Sequence, residues 1–293
     1  MKRILITGAD SYIGISLEQW LARYPKQYQI DTVETISTKW KRVDFGEYDT
    51  IFHVAGIAHA DVSKVSEAVR QRYYDVNCDL AFAIAQKAKE EKVGQFIFMS
   101  SMSVYSEAIG TRGTMITQET IPKPSNCYGD SKLQAEKKLA TLSDDSFHLA
   151  ILRPPMIYGK GSKGNYPILV KIARRAPFFP DIKNNRSMLY IDNMCEFVRL
   201  IIDNRESGLF FPQNGEYVKT SEMVRLIARA HGRRMILIPF PNRIVHLLCK
   251  APGKIGKLTN KAFGSMQYEM KMSDYKVNYR VKNLVNSIRS TEK

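Results

Sequence analysis

Residues 3–14 read Arg3-Ile4-Leu5-Ile6-Thr7-Gly8-Ala9-Asp10-Ser11-Tyr12-Ile13-Gly14. An apolar run closed by Thr-Gly has the pattern of a parallel strand buried on both faces. From Tyr12 the apolar period changes: Ile13, Leu17, Trp20 and Leu21 fall at helical spacing, predicting a helix to Arg23. A strand, a glycine turn and a helix, in that order, aim backbone N–H groups and a helix dipole at an anion. The turn therefore predicts a dinucleotide pyrophosphate site, with Gly8 at positive φ and Gly14 allowing close packing. Its candidate contacts are Gly8, Ser11, Tyr12, Ile13 and Gly14.

Outward from this turn the alternation continues. Strands are expected at 29–34, 50–54, 94–99 and 147–152, with a short one around Asp44 (RVDF). Helices are expected at 76–89 and 128–142. Such alternation with short links specifies an α/β fold, a parallel sheet with helices on both faces. After Pro155 the pattern loosens through Gly159, Gly161 and Gly164, then returns to helices at 167–175, 193–204 and 221–231, the last capped by Thr220 or Ser221. Residues 1–155 read as a dinucleotide-binding domain and 156–293 as a smaller substrate-binding lobe, with elements shared across the boundary.

The chain has 293 residues, 44% hydrophobic and 25% charged, which excludes disordered and collagen-like classes. Cys78, Cys127, Cys195 and Cys249 form no CxxC pair, so reduced thiols and a cytoplasmic location are expected rather than a disulfide framework or a zinc site. The histidines show no HxxxH spacing and the serines no GxSxG elbow. No stretch is long and apolar enough to span a membrane, and the opening MKRILITG is too short for a signal peptide. Charge is divided unevenly. Residues 1–150 hold 18 Lys+Arg against 19 Asp+Glu, whereas 151–293 hold 26 against 10, carrying the whole excess of the net +15. Such a half predicts a polyanionic partner: a nucleotide-linked substrate, a nucleic acid or an anionic membrane face. Residues 233–261 alternate apolar and basic side chains and read as a packed helix with a solvated basic face. A lid over the substrate and an amphipathic segment on a membrane are the alternatives. No nucleic-acid-binding module is visible, so nucleic acid is not expected as a partner.

Tyr128-Gly129-Asp130-Ser131-Lys132 carries the strongest chemical signal. Tyr128 and Lys132, at i and i+4, share one face of a helix. A nearby ammonium and a positive nicotinamide ring both favour phenolate, which predicts a tyrosine pKa below its usual value of about 10. A phenolic base so tuned takes a proton from a hydroxyl while hydride leaves the same carbon. Ser101 lies 27 residues earlier, just past the C-terminal end of a strand, where sites assemble in open α/β sheets. Glu34 ends the second strand, 26 residues after Gly8. A carboxylate there accepts ribose hydroxyls and repels a 2′-phosphate, favouring NAD over NADP, although Lys39, Lys41 and Arg42 lie close by.

The segment 7–14 resembles the TGxxGxxG fingerprint of extended short-chain dehydrogenases/reductases, the NAD-dependent nucleotide-sugar epimerase/dehydratase family, with Ser11 at its middle glycine. Residues 99–105 (MSSMSVY) resemble that family's SSxxVYG, 153–159 (RPPMIYG) its RPxxVYG, 164–166 (GNY) its Gly-Asn-aromatic step, and 186–193 (RSMLYIDN) its R-S/D-x-x-Y-V-D-D/N element. The resemblance implies a Rossmann-type doubly wound sheet, NAD as cofactor and a catalytic set of Ser101, Tyr128 and Lys132, the last two also touching the cofactor. It implies that Asp44 faces the adenine, that Val54, Ala55 and Gly56 pass the cofactor in an HxAG turn, and that Asn77 is structural. Ser101, Asn165 and Arg186 would meet the nucleotide-sugar substrate, Arg186 clamping its diphosphate. Met102 and Ser103 stand where related 4,6-dehydratases carry Asp-Glu, which disfavours dehydration. The expected function is 4-epimerisation of a UDP-hexose or UDP-N-acetylhexosamine. Alternatives are 4-ketoreduction of a nucleotide-linked keto sugar and, from another class, a non-catalytic dinucleotide sensor or nucleic-acid binder. A homodimer through the helices carrying Asn77 and Tyr128 is implied as well.

Overall fold

The computed structural model describes residues 1–58, 66–106, 115–241 and 263–293, with Ile244, Leu247, Ala251 and Gly256 between the last two stretches. His59, His246 and Cys249 lie outside the described residues, as does most of 242–262. In chain order the elements are β1 (Lys2–Thr7), α1 (Tyr12–Leu21), β2 (Tyr28–Val33), β3 (Thr50–His53), α2 (Glu67–Tyr74), α3 (Leu80–Glu90), β4 (Gln95–Met99), β5 (Met115–Ile116), α4 (Cys127–Ala140), β6 (His148–Leu152), β7 (Met156–Tyr158), α5 (Tyr166–Arg175), β8 (Phe178–Asp181), β9 (Met188–Tyr190), α6 (Ile191–Asp203), β10 (Gly208–Phe210), α7 (Thr220–Ala230), β11 (Ile236–Pro239), β12 (Gln267–Tyr268) and a final helix, Leu284–Glu292.

The chain divides into two compact units. The first comprises Met1–Ser106, Pro122–Pro154 and Met194–Pro212. Its six strands are all parallel, in the order β10-β6-β4-β3-β1-β2. From β1 the chain steps outward to β2 on one side, then returns to β3 and proceeds through β4, β6 and β10 on the other. The direction reverses between β1 and β3, and a crevice opens past the C-terminal strand ends at such a point. Every residue of β3 and β4 is buried, as expected of central strands covered on both faces. One face packs Leu5, Ile51, Phe96 and Phe98 against Ala81, Ile84, Ala85 and Ala88 of α3 and Ala135 and Leu139 of α4. The small residues of α3 let it lie close on the aromatic strand face.

The second unit comprises Glu107–Ile121, Pro155–Asn193 and Gln213–Lys293. It holds three short parallel pairs, β7–β9, β8–β11 and β5–β12. Tyr158 lies at its centre, stacked on Tyr166 with ring centroids 5.6 Å apart. Its hydroxyl meets Ser287 Oγ at 2.6 Å and accepts from Asn214 Nδ2 at 3.1 Å.

Four local expectations are corrected. The segment around Asp44 is not a strand. Two 3₁₀ turns, Thr38–Arg42 and Phe45–Glu47, flank it, because Ser37 and Asp44 cap them with their own side chains. The helix expected at 76–89 begins with a π-helical turn, Asp75–Asp79, continuous with α2 and α3. Neither Thr220 nor Ser221 caps α7: Lys219 occupies that position without a side-chain bond, Asn184 Oδ1 accepts from Thr220 N at 3.0 Å, and Ser221 Oγ donates to Asp181 at 2.6 Å. Where a packed helix was expected from residue 233, Ile236–Pro239 forms a strand paired with β8, consistent with the strand preference of its isoleucines.

Candidate active site

The turn after β1 is built as its sequence requires. Gly8 has φ of +108°, and a Cβ there would stand 2.7 Å from Ala55 N. Only glycine lets this turn lie against the end of β3. Ala55 N and Val54 N donate to Thr7 O at 3.0 and 3.1 Å, fixing the 54–56 segment beside the turn. Ser11 is the N-cap of α1, its Oγ accepting from Gly14 N at 3.0 Å. A Cβ on Gly14 would meet that Oγ at 2.6 Å, so Gly14 is what makes room for serine at this position. Tyr12 and Ile13 open the helix, where N–H groups have no carbonyl one turn back. A cradle whose glycines exclude side chains, at a helix N-terminus beside the sheet's switch point, fits the pyrophosphate of a dinucleotide.

Glu34 follows β2, and Gly8 N donates to Val33 O at 2.9 Å, so the glycine turn adjoins that strand end. The Glu34 carboxylate accepts from Ile36 N and Ser37 N, both at 3.0 Å, and from Ser37 Oγ. These donors, the Ser37 hydroxyl foremost, hold its pKa below the usual carboxylate value and keep it anionic. Asp44 is exposed and turned to its own loop, accepting from Gly46 N at 2.9 Å.

Ser101 follows β4 and caps the next 3₁₀ turn, accepting from Ser103 N at 3.1 Å. Its side chain acts on Tyr128, lowering that phenol's pKa, and Tyr128 stands in the first turn of α4, behind an Asn126 cap. The Tyr73 ring of α2 packs against Tyr128 with centroids 6.4 Å apart. The tyrosine departs from expectation. Burial pushes its pKa above 10, and Ser101 offsets this only in part. Lys132 does not set that balance. It is buried, its Nζ donating to Met99 O at 2.7 Å and lying 4.7 Å from the Phe98 ring centroid. Burial lowers its pKa to about 8 against the opposing pull of Glu136. Desolvation thus moves both groups toward their neutral forms. A Cβ on Gly56 would lie 3.2 Å from Lys132 Nζ and 2.9 Å from Asn77 Oδ1, so the end of β3 reaches this lysine.

Two supports hold these residues in place, Asn77 and Glu136. Fully buried Asn77, turned inward by the π-helical turn, accepts from Ile57 N at 2.8 Å and donates to Ser131 Oγ at 3.0 Å. It ties the 54–57 segment to α4. Glu136, one turn beyond Lys132, is buried and forms a two-pronged ion pair with Arg153. It also accepts from Ser100 Oγ, while Arg153 donates to Tyr105 Oη. The pair pins α4 to the ends of β4 and β6. Only the i+4 spacing of Lys132 and Glu136 hinted at it.

Asn165 and Arg186 belong to the second unit. Asn165 precedes α5 and caps it through its carbonyl, which accepts from Ile168 N at 3.1 Å, leaving its side chain out of the cap. Arg186 bridges two chain segments: its N and O pair with Val218, and the next residue, Ser187, donates to Met266 O. Burial lowers the pKa of its guanidinium.

The NAD dependent epimerase/dehydratase family model matches residues 4–211. UDP-glucose 4-epimerase of Vibrio cholerae is 28% identical, covering 92% of this chain and 88% of that protein. GDP-6-deoxy-D-mannose reductase of Pseudomonas aeruginosa is 24% identical, covering 83% of this chain and 84% of its own. The structure of a dTDP-4-dehydrorhamnose reductase from Clostridium acetobutylicum superposes with a TM-score of 0.74 at 16% identity, covering 99% of this chain and 98% of that one. At that identity the likeness shows the fold. With a glycine-lined turn at the switch point, a parallel six-stranded sheet and a family match over more than half its length, the chain belongs to the NAD dependent epimerase/dehydratase family, and NAD is its cofactor.

Proposed function

We propose that the protein is a 4-epimerase of a nucleotide-diphosphate sugar, a UDP-hexose or UDP-N-acetylhexosamine. The observation that carries this is the gathering of Ser101, Tyr128 and Lys132 at the C-terminal edge of the sheet, Ser101 just past β4 and Lys132 bonded to Met99 O at its end. The 4-epimerase relative, aligned over most of both chains, adds weight. Gly8, Ser11, Tyr12, Ile13, Gly14, Glu34 and 54–56 would hold the dinucleotide, which supplies the acceptor and donor of hydride. Tyr128 removes the proton of the sugar 4-hydroxyl through its phenolic oxygen, and Ser101 hydrogen-bonds the same sugar oxygen. The phenol is neutral at rest and desolvation raises its pKa further, so the Ser101 side chain is what eases its deprotonation from within the chain. Asn165 and the desolvated Arg186 bind the diphosphate, about which the keto sugar turns before its other face is reduced. A homodimer through the helices carrying Asn77 and Tyr128 is part of the proposal, and light scattering should give twice the monomer mass.

Incubation with UDP-glucose and UDP-N-acetylglucosamine, without added cofactor, should yield the C4 epimer of one of them. Tyr128→Phe should lower that rate by about 10²–10⁴ while leaving NAD bound. Full activity in that variant would sink the proposal.

A second reading is 4-ketoreduction. A neutral phenol is the form that delivers a proton to a carbonyl oxygen as it is reduced, and burial favours that form here. The reductase relative aligns nearly as far as the epimerase. Turnover of a 4-keto sugar with stoichiometric oxidation of added NADH or NADPH, and no epimer from UDP-sugars, would select it.

A further inference from the structure

The second unit carries a surface on which cationic and apolar side chains meet. Arg225 and Arg229 are exposed on one face of α7, one turn apart. Gly232, at φ +69°, ends the helix, and Arg233 N closes back on Ala228 O at 2.9 Å. That reversal places Arg233 and Arg234 beside the other two, and the four arginines with Met235, Ile236 and Leu237 line one cavity of about 790 Å³. Arg225 also pairs with Glu222 at 2.6 Å.

The strand leading from this cavity is apolar on its outer face. In the register of β11 on β8, Ile236 stands beside Phe178 and Ile238 beside Pro180. Phe178, Ile236 and Ile238 are 56%, 54% and 46% exposed, whereas Phe179, on the opposite face, is 6% exposed and packs on Phe263. Phe240 follows, 37% exposed, and Arg174 and Arg175 close α5 just before β8. Parallel strands in register share a face, so Phe178, Ile236 and Ile238 form one apolar ridge. Exposed apolar side chains grouped in this way mark an interaction surface.

We propose that this ridge and its arginines dock the protein on an anionic phospholipid bilayer. A bilayer takes up both features at once: the apolar side chains enter the headgroup boundary while the arginines engage lipid phosphates. Charge decides against a second copy, since pairing two such faces would set arginines against arginines. It also accounts for the position of the chain's positive excess, which lies entirely in residues 151–293.

The test is flotation of the full-length protein with vesicles of phosphatidylcholine alone and of phosphatidylcholine mixed with phosphatidylglycerol. The expected result is binding to the anionic vesicles only, weakened by salt. Arg233→Gln/Arg234→Gln should lower the partition coefficient about 25-fold at low salt, about fivefold for each arginine. Ile236→Ser/Ile238→Ser should still be captured at low salt but released when salt is raised, because apolar contact is not screened. Phe178→Ser, on the neighbouring strand, gives the same readout should that pair fail to fold, and unchanged melting confirms folding of the arginine variant. No binding to phosphatidylglycerol vesicles overturns the proposal, as does binding indifferent to both sets of substitutions. Tighter, arginine-dependent binding to a single-stranded RNA oligonucleotide than to the vesicles also overturns it, assigning the patch to nucleic acid.

Discussion

At Gly8 two independent requirements coincide: a positive φ and a backbone 2.7 Å from where a Cβ would be. Gly8→Ala is expected to cost about 1–3 kcal/mol by urea unfolding and to abolish NAD binding measured by calorimetry. His53 presents a different kind of constraint. It is buried between Thr7 Oγ1, 2.8 Å from Nδ1, and the rings of Phe96 and Phe98. Its Nε2 has no hydrogen-bond partner among the described residues. Burial, with a smaller push from Lys132, lowers its pKa from 6.5 to about 3. Between those values the unfolded chain binds a proton that the folded chain refuses, so stability falls as pH drops through the window. The loss from His53 between pH 7 and pH 5 should be about 2 kcal/mol. In His53→Phe the urea midpoint should vary correspondingly less over that range. An unchanged pH slope would mean that the imidazole is hydrated.

On the scale of elements, the buried Glu136–Arg153 pair holds α4, and with it Tyr128 and Lys132, onto the sheet. Removing either partner leaves an unpaired buried charge, and Glu136→Ala or Arg153→Ala should each cost about 3–5 kcal/mol. Replacing both with methionine should recover most of that loss, as a double-mutant cycle in urea would report. Such pairs explain what the sequence leaves unread. The strands, the glycine turn and the Tyr–Lys spacing were legible because each is set by local periodicity or by a few adjacent residues. The turns around Asp44 were not, since RVDF has a strand's pattern and only the capping by Ser37 and Asp44 diverts it. The rise in the Tyr128 pKa was hidden for a different reason. Helical spacing brings Lys132 onto the same face, but its ammonium is spent on Met99 O, an acceptor from a strand 33 residues earlier. Tertiary desolvation has no signature in spacing.

For the whole molecule, cofactor binding should appear as added stability. NAD at a hundredfold its Kd contributes about 2.7 kcal/mol, a melting shift of about 5 °C for a chain of this size. Glu34, held anionic by its turn, opposes a 2′-phosphate, so NADP should give at most half that shift. Glu34→Ala should narrow the difference, and equal shifts in the native protein would remove Glu34 from any part in selecting the cofactor. The route of the chain through the sheet has one more consequence. β10 pairs Gly208–Phe210 with Ala150–Leu152 of β6, and Arg153 N donates to Phe210 O. During translation the flank of β6 therefore waits for a strand made nearly sixty residues later, about 3–12 s at ordinary ribosome speeds. Through that interval the nascent polypeptide shows an unfilled hydrogen-bonding edge, which makes it a client for chaperones until Pro212 has cleared the exit tunnel.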